Sequence, residues 1–217
     1  MYKYYLNALN KMNDFAVHIN GGNELGRLSL SDERWAKDKF ATLSKDNVRK
    51  GEVWQFEFGK NYIPEIAYEH RGLVMGINKK LLYVLPIFSY NKTLESHKSA
   101  YDPKTNPDYS SDYYLLRSID FDFIKHDSVL KLNDLRSISV NRKLYKHKGK
   151  MDIGSDAYKD IENLAIRKHF ASFYFDFCKL KENYDDLQSE LENMKLEKET
   201  LEQKIQEYIK QNETKST

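Results

Sequence analysis

Proline and glycine run out early in this chain of 217 residues: it holds four prolines and nine glycines, and neither type occurs after Gly154. Cysteine is rarer still. The single Cys178 excludes an intramolecular disulfide and leaves any metal cage without a set of thiolate ligands. No stretch reaches the roughly 18–20 consecutive apolar residues of a membrane span. The first residues, MYKYYLNALNKMNDF, lack the run of about 7–15 apolar residues that a secretory signal needs. The expected location is therefore the cytoplasm, with no membrane partner. Gly-rich phosphate loops, His-x-x-x-His zinc pairs and Cys–His nucleophile arrangements are missing too, which removes the commonest nucleotide, metalloenzyme and thiol chemistries.

Composition is polar for a single globule, at 40% apolar and 31% charged residues, so part of the chain is expected to be solvated helix. The net charge of +2 is uneven. Six lysines face nine acidic residues between Lys179 and Lys210, a net of −3, which leaves residues 1–178 at +5. A modestly basic body suits an anionic partner such as RNA, but that charge is only a weak pointer.

Three segments follow from texture. Residues 1–48 read as a helical extension. In SLSDERWAKDKFATLSKDN, Ser29 or Ser31 is a candidate cap and Leu30, Trp35, Phe40 and Leu43 a candidate buried face. The preceding GGNELG reads as a turn or link. Residues 49–154 carry short apolar runs between polar breaks: VWQFEF alternates with period two, and LVMGI, LLYVLPIF, YYLLRSIDFDFI and DSVLKLNDLRSISVNRKL follow. This pattern predicts a small, strongly bent antiparallel sheet or barrel. NKTLESHKSAYDPKTNPDYSSD reads as a long polar loop, and Asp120 and Asp122 as the solvent side of a strand.

From residue 155 to 217 the absence of breakers predicts one long helix, capped by Ser155 with acid in the first turn. Its apolar residues step by three and four through Phe170, Phe173, Phe177, Leu180, Tyr184, Leu187, Leu191, Met194, Lys198, Leu201, Ile205 and Tyr208. That is a heptad seam with one charged member, Lys198, and it predicts a coiled coil from about 170 to 210. Such a seam must be covered: by the chain's own domain, as the aromatic start FASFYFDF would suit, or, past Leu180, by another helix in a homodimer or from a different protein.

The blocks GEVWQFEFGKNYIPE, RGLVMG, LLYVLPIFS and HDSVLKLNDLRSISVNRKL, in this order over residues 50–145, resemble the PemK/MazF family of toxin endoribonucleases. The resemblance implies an α+β fold with a small SH3-like antiparallel barrel, here with N-terminal helices and a coiled-coil tail that is not standard for the family. It implies a homodimer that cuts single-stranded RNA, such as mRNA, at short sequences without a metal or other cofactor, leaving a 2′,3′-cyclic phosphate. It also implies a partner antitoxin that holds the enzyme inactive.

Metal-free RNA cleavage must deprotonate the 2′-OH, stabilise a charged phosphorane and protonate the 5′-oxygen. Arg71 matches the family's arginine, whose planar fork suits phosphate oxygens. Ser89 falls on the family's strand-end hydroxyl, while Phe88 replaces the threonine before it. Phe88 is thus a candidate for stacking on an RNA base. Bottom-up, Ser89 also reads as a plain loop start after Pro86. Arg71 is followed by Gly72 where the family has proline, which loosens the strand entry. Asn133 replaces an expected aspartate and cannot act as a base, leaving Asp134, Glu65 or His70 as candidates. Asn61 and Glu65 match the family's first turn and Arg136 its later arginine, all three as candidate RNA contacts or as local structure. A rival reading has the same fold without cleavage, binding and inhibiting an RNA or protein target, with the coiled coil as the docking element. A scaffold whose business is the coiled coil is a third.

Overall fold

The computed structural model describes residues 2–18, 22–39 and 47–215, with side chains described as far as Gln206. Phe40, Leu43 and Tyr208, singled out above, lie outside the described residues or side chains. The chain divides into two compact units, Met1–His169 and Phe170–Thr217. Among the described residues no helix is long and apolar enough to cross a membrane.

The first unit is α+β. Two helices, α1 (Tyr2–His18) and α2 (Gly22–Asp38), precede seven strands: β1 (Glu52–Glu57), β2 (Glu69–Asn78), β3 (Leu81–Ser89), β4 (Tyr113–Leu116), β5 (Ser128–Lys131), β6 (Arg136–Ser139) and β7 (Lys143–Lys150). A short helix α3 (Glu95–Lys98) lies between β3 and β4, and α4 (Asp156–His169) follows β7. The strands form one antiparallel sheet in the order β4-β5-β3-β2-β1-β7, with β6 also on β3. The two end strands, β4 and β7, are not paired with each other, so the sheet is open where a closed barrel was the stronger expectation.

The strands exist because their apolar residues fill two layers. On one face Val53, Leu73, Leu85, Ile87, Leu116 and Leu130 join Tyr158, Ile161, Leu164 and Ala165 of α4 in the main core. Helix α4 starts where Ser155 Oγ accepts from the backbone N–H of Tyr158 at 3.2 Å, as a cap should. The other face buries Trp54, Phe56, Phe58, Val74, Leu82, Val84 and Ile138. Pro86, expected to start a turn, lies inside β3. It falls between Leu81–Val84, which pair with β6, and Ile87–Ser89, which pair with β5, a junction where a missing N–H is tolerated.

Several local expectations give way to tertiary packing. Residues 22–26 of GGNELG are helical: α2 begins at Gly22 and buries Leu28 and Ser31, while Leu30 and Trp35 stay exposed. Ser31 is no cap, since its hydroxyl donates to Glu57 Oε1 at 3.0 Å and anchors the helix to β1. The polar stretch after β3 is organised around Asp102, which accepts from Thr105 and, in a charged pair, from Arg117. Asp120 and Asp122 lie in turns after β4, and no strand carries them. The long helical run divides at Phe170, after Lys168 Nζ and His169 Nε2 have engaged Ser110 O at 2.7 Å and Leu132 O at 2.9 Å.

The second unit consists of one helix, α5 (Ala171–Lys215), 45 residues long. None of its described side chains is buried.

Candidate functional site

Cross-strand register decides which sequence candidates can meet. In an antiparallel sheet, residues directly opposite one another share a face and neighbours along a strand alternate. Val53 is opposite Leu73, which is opposite Leu85. Two residues further on, the same face continues as Gln55, Arg71 and Ile87, with Gln55 also opposite Tyr145 of β7. On the other side of β3, Ile87 is opposite Leu130 and Ser89 opposite Ser128. The apolar face that α4 covers therefore ends in a polar margin of Gln55, Arg71, Tyr145, Ser89 and Ser128.

Hydrogen bonds tie this margin together. Arg71 Nη2 donates to Ser128 Oγ at 3.3 Å, and that hydroxyl donates onward to the His126 carbonyl at 3.0 Å. The His126 ring returns to the same place, with Nε2 2.9 Å from Ser89 Oγ. Across the sheet His147 Nε2 lies 3.0 Å from Gln55 Oε1. A carbonyl oxygen only accepts, so His147 carries its proton on Nε2 and, when neutral, keeps a lone pair on Nδ1. The Tyr145 and His147 rings are 5.4 Å apart.

The electrostatics of this margin single out Arg71. It is half-buried, yet among the described residues no carboxylate pairs with it. Burial lowers its pKa from the ordinary arginine value, with nearby Tyr145 opposing the shift. His147 is also pushed below its ordinary 6.5, first by burial and then by the Arg71 charge. Most other partly buried arginines are matched by acids. Arg34 pairs with Glu57 and Glu69, Arg117 with Asp102, and Arg136 with Asp134 and Glu65. A desolvated guanidinium beside hydroxyls and imidazoles, with no resident anion, is an arrangement suited to receiving one.

Of the eight residues named from the sequence, Arg71 and Ser89 share this margin, and the other six do not join them. His70 projects from the opposite face of β2, where it packs on Phe88 with ring centroids 5.2 Å apart. Arg27 Nη2 lies 3.0 Å from His70 Nε2, and a guanidinium only donates, so that ring nitrogen is an acceptor already in use. Burial, then Arg27 and Arg71, lower the His70 pKa to about 4. Phe88 packs against the second core, away from Ser89.

Asp134 is 9% exposed and fully engaged: Oδ2 accepts from the Ile66 backbone N–H at 2.9 Å, and Oδ1 from Arg136 Nε at 2.6 Å. Lys131 lies 3.5 Å from Asp134 and also donates to the Pro64 carbonyl. Arg136 reaches Glu65 at 3.2 Å, and Asn61 Nδ2 donates to the carbonyls of Phe58 and Ile66. These five residues therefore shape the loop after β1. Gly72 does not loosen the strand entry. It sits in regular register between Trp54 and Pro86, and a Cβ there would come within 2.3 Å of Val84 Cγ1.

Sequence reasoning passed over Gln55, His126, Ser128, Tyr145 and His147. Two signals were present. His126 and Ser128 stand in the quoted block HDSVLKL, and a period-two reading of KLYKHKGK places Tyr145 and His147 on one face. A pocket of about 760 Å³ lies elsewhere, lined by α2 residues together with Glu57, Lys60, Asn61 and Arg142. Its charges are largely satisfied locally, with Lys60 on Asp32 at 2.5 Å and Arg142 Nη1 on the Glu57 carbonyl at 3.1 Å. None of Arg71, Ser89 or Ser128 lines it.

No protein-family model matches the chain, and no curated protein matches its sequence.

Proposed function

We propose that this chain is a metal-independent endoribonuclease of the PemK/MazF type, built on an SH3-like variant of the open sheet, that cleaves single-stranded RNA in the cytoplasm and arrests growth. The observation that carries this reading is Arg71: a half-buried guanidinium without a carboxylate partner among the described residues, hydrogen-bonded to Ser128 and neighboured by Tyr145 and His147.

In this reading the scissile phosphate docks on Arg71 and the Ser89 hydroxyl, while Ser128 Oγ, accepting from Arg71, holds the guanidinium in place. His147, held neutral near physiological pH, takes the 2′-OH proton on Nδ1. The 2′-oxygen forms its bond to phosphorus, and Arg71 balances the charge that gathers on the phosphorane oxygens. The bond from phosphorus to the 5′-oxygen breaks, and the Ser89–His126 pair supplies the proton that the leaving oxygen needs. The products are a 2′,3′-cyclic phosphate and a 5′-hydroxyl end. No carboxylate takes part, consistent with Asp134 and Glu65 being committed to ion pairs. An antitoxin would act by laying an acidic or hydrogen-bonding segment over Arg71.

The test is incubation of the purified full chain with long single-stranded RNA in excess EDTA, followed by chemical analysis of the new ends. Fragments ending in cyclic phosphate are expected. RNA that is bound but intact would favour the inhibitory binding module instead.

A further inference from the structure

We propose that α5 pairs with the α5 of a second copy of this chain as a parallel, in-register, two-stranded coiled coil. This inference is independent of the ribonuclease reading, because it rests on the second unit alone.

The seam is long and uncovered. Phe177, Tyr184, Leu191, Lys198 and Ile205 occupy the first core position of successive heptads, and Phe173, Leu180, Leu187, Met194 and Leu201 the second. Phe173 is 65% exposed, Leu187 64% and Ile205 58%. Nine exposed apolar residues and Lys198 repeat over five heptads of this helix, and their 3.5-residue period fits a left-handed two-helix supercoil.

Flanking charges identify the partner. In a parallel pair, the residue before each first core position faces the residue after the second core position in the partner's next heptad. Asp176 then faces Lys181 of the other copy, and Glu190 faces Lys195. Each attraction occurs twice by symmetry. One unfavourable contact, Glu197 with Glu202, flanks the Lys198 layer. There each Lys198 ammonium lies near the other copy's Glu197 and its own Glu202, already 3.6 Å away. A single lysine at a core position of this kind fixes register, because sliding by a heptad would bury it against an apolar layer with no such compensation.

The antiparallel alternative reverses the charge logic. With the seams fully overlapped, Lys181 would face Lys195 of the other copy and Glu190 would face itself, and the one attraction would be Asp176 with Lys204. Lys198 would lie against Leu180. The balance of flanking charges on α5 is thus attractive in the parallel sense, two kinds of pair against one, and repulsive in the antiparallel sense, one against two.

The experiment uses the full chain. Light scattering on the purified protein at micromolar concentration is expected to give a dimer mass. In a Cys178→Ser background, Leu187→Cys and Leu201→Cys are made separately and oxidised in air. A parallel in-register pair brings each new thiol within bonding distance of its counterpart, so both variants cross-link. Lys181→Glu with Lys195→Glu should weaken dimerisation roughly tenfold, and adding Asp176→Lys with Glu190→Lys should restore it. A monomer mass, or failure of Leu201→Cys to cross-link while Leu187→Cys does, overturns the proposal.

Discussion

Arg71 and Ser128 meet across an intervening strand: the arginine on β2 reaches past β3 to a serine hydroxyl on β5, 3.3 Å away. The contact needs β3 to present a side chain beneath it that does not compete for the guanidinium, and Ile87, opposite both Arg71 and Leu130, meets that condition. It places a cation and two hydroxyls at the margin of a rigid apolar core, where water is partly excluded and charge stabilisation is strong.

His147 is expected to set the acidic limb of the pH profile. Burial and Arg71 both push its pKa below 6.5, and in the proposed mechanism the neutral ring is the active form. Cleavage under kcat/KM conditions should therefore hold steady through neutrality and fall only on the acid side of pH 6.5. His147→Gln should lower the rate by roughly 10²-fold and abolish that limb. An unchanged pH profile in the variant would remove His147 from the mechanism.

His70 should govern stability and leave chemistry untouched. Its pKa falls from 6.5 in the unfolded chain to about 4 in the native state, so between those values the unfolded state binds more protons. Stability is then complete above pH 6.5 and declines as pH falls toward 4, by roughly 2 kcal/mol from this residue after allowance for its partial exposure. Other histidines shift the same way, so the test is a difference: thermal unfolding of His70→Gln against the parent from pH 7 to 4 should show a shallower loss.

Asp134→Ala should destabilise by roughly 3 kcal/mol, because it leaves the buried Lys131 with only the Pro64 carbonyl, leaves Arg136 with only Glu65, and removes the acceptor for the Ile66 N–H. Urea unfolding reads this directly. Cleavage by the fraction that remains folded should stay near the parent rate, which separates a structural carboxylate from a general base.

Two glycines should respond with opposite sign. Gly72→Ala drives a Cβ to within 2.3 Å of Val84 Cγ1 and 3.0 Å of Phe56 Cδ2, at a cost of about 2 kcal/mol or more. Gly26→Ala meets nothing within 4 Å inside α2 and should stabilise by about 0.5–1 kcal/mol. Melting temperatures of the two variants check the pair.

The legible parts of this chain were those written in local periodicity. Alternation in VWQFEF and the apolar run LLYVLPIF mark β1 and β3, and the three-four spacing after Phe173 marks α5. Expectations weakened where long-range contacts outweighed local signals. Glycines in GGNELG argue for a link, but Ser31 and Arg34 docking on Glu57 hold the segment in a helix. The site was half legible for a similar reason. Arg71 and Ser89 stand in recognisable blocks, whereas His147 and Tyr145 join them only through the pairing of β7 on β1, which no short motif announces. His70 misled because adjacency in sequence means opposite faces in a strand.

The central claim is that Arg71 is an anion-receiving group and not a structural one. The most direct measurement compares RNA cleavage in EDTA by the parent, Arg71→Lys and Arg71→Ala, alongside their melting temperatures. The account predicts a loss of roughly 10²–10³-fold for alanine, partial activity for lysine, and unchanged or slightly raised melting temperatures, since an unpaired half-buried cation is removed. Cleavage by Arg71→Ala at the parent rate, or a large fall in its melting temperature, would contradict it.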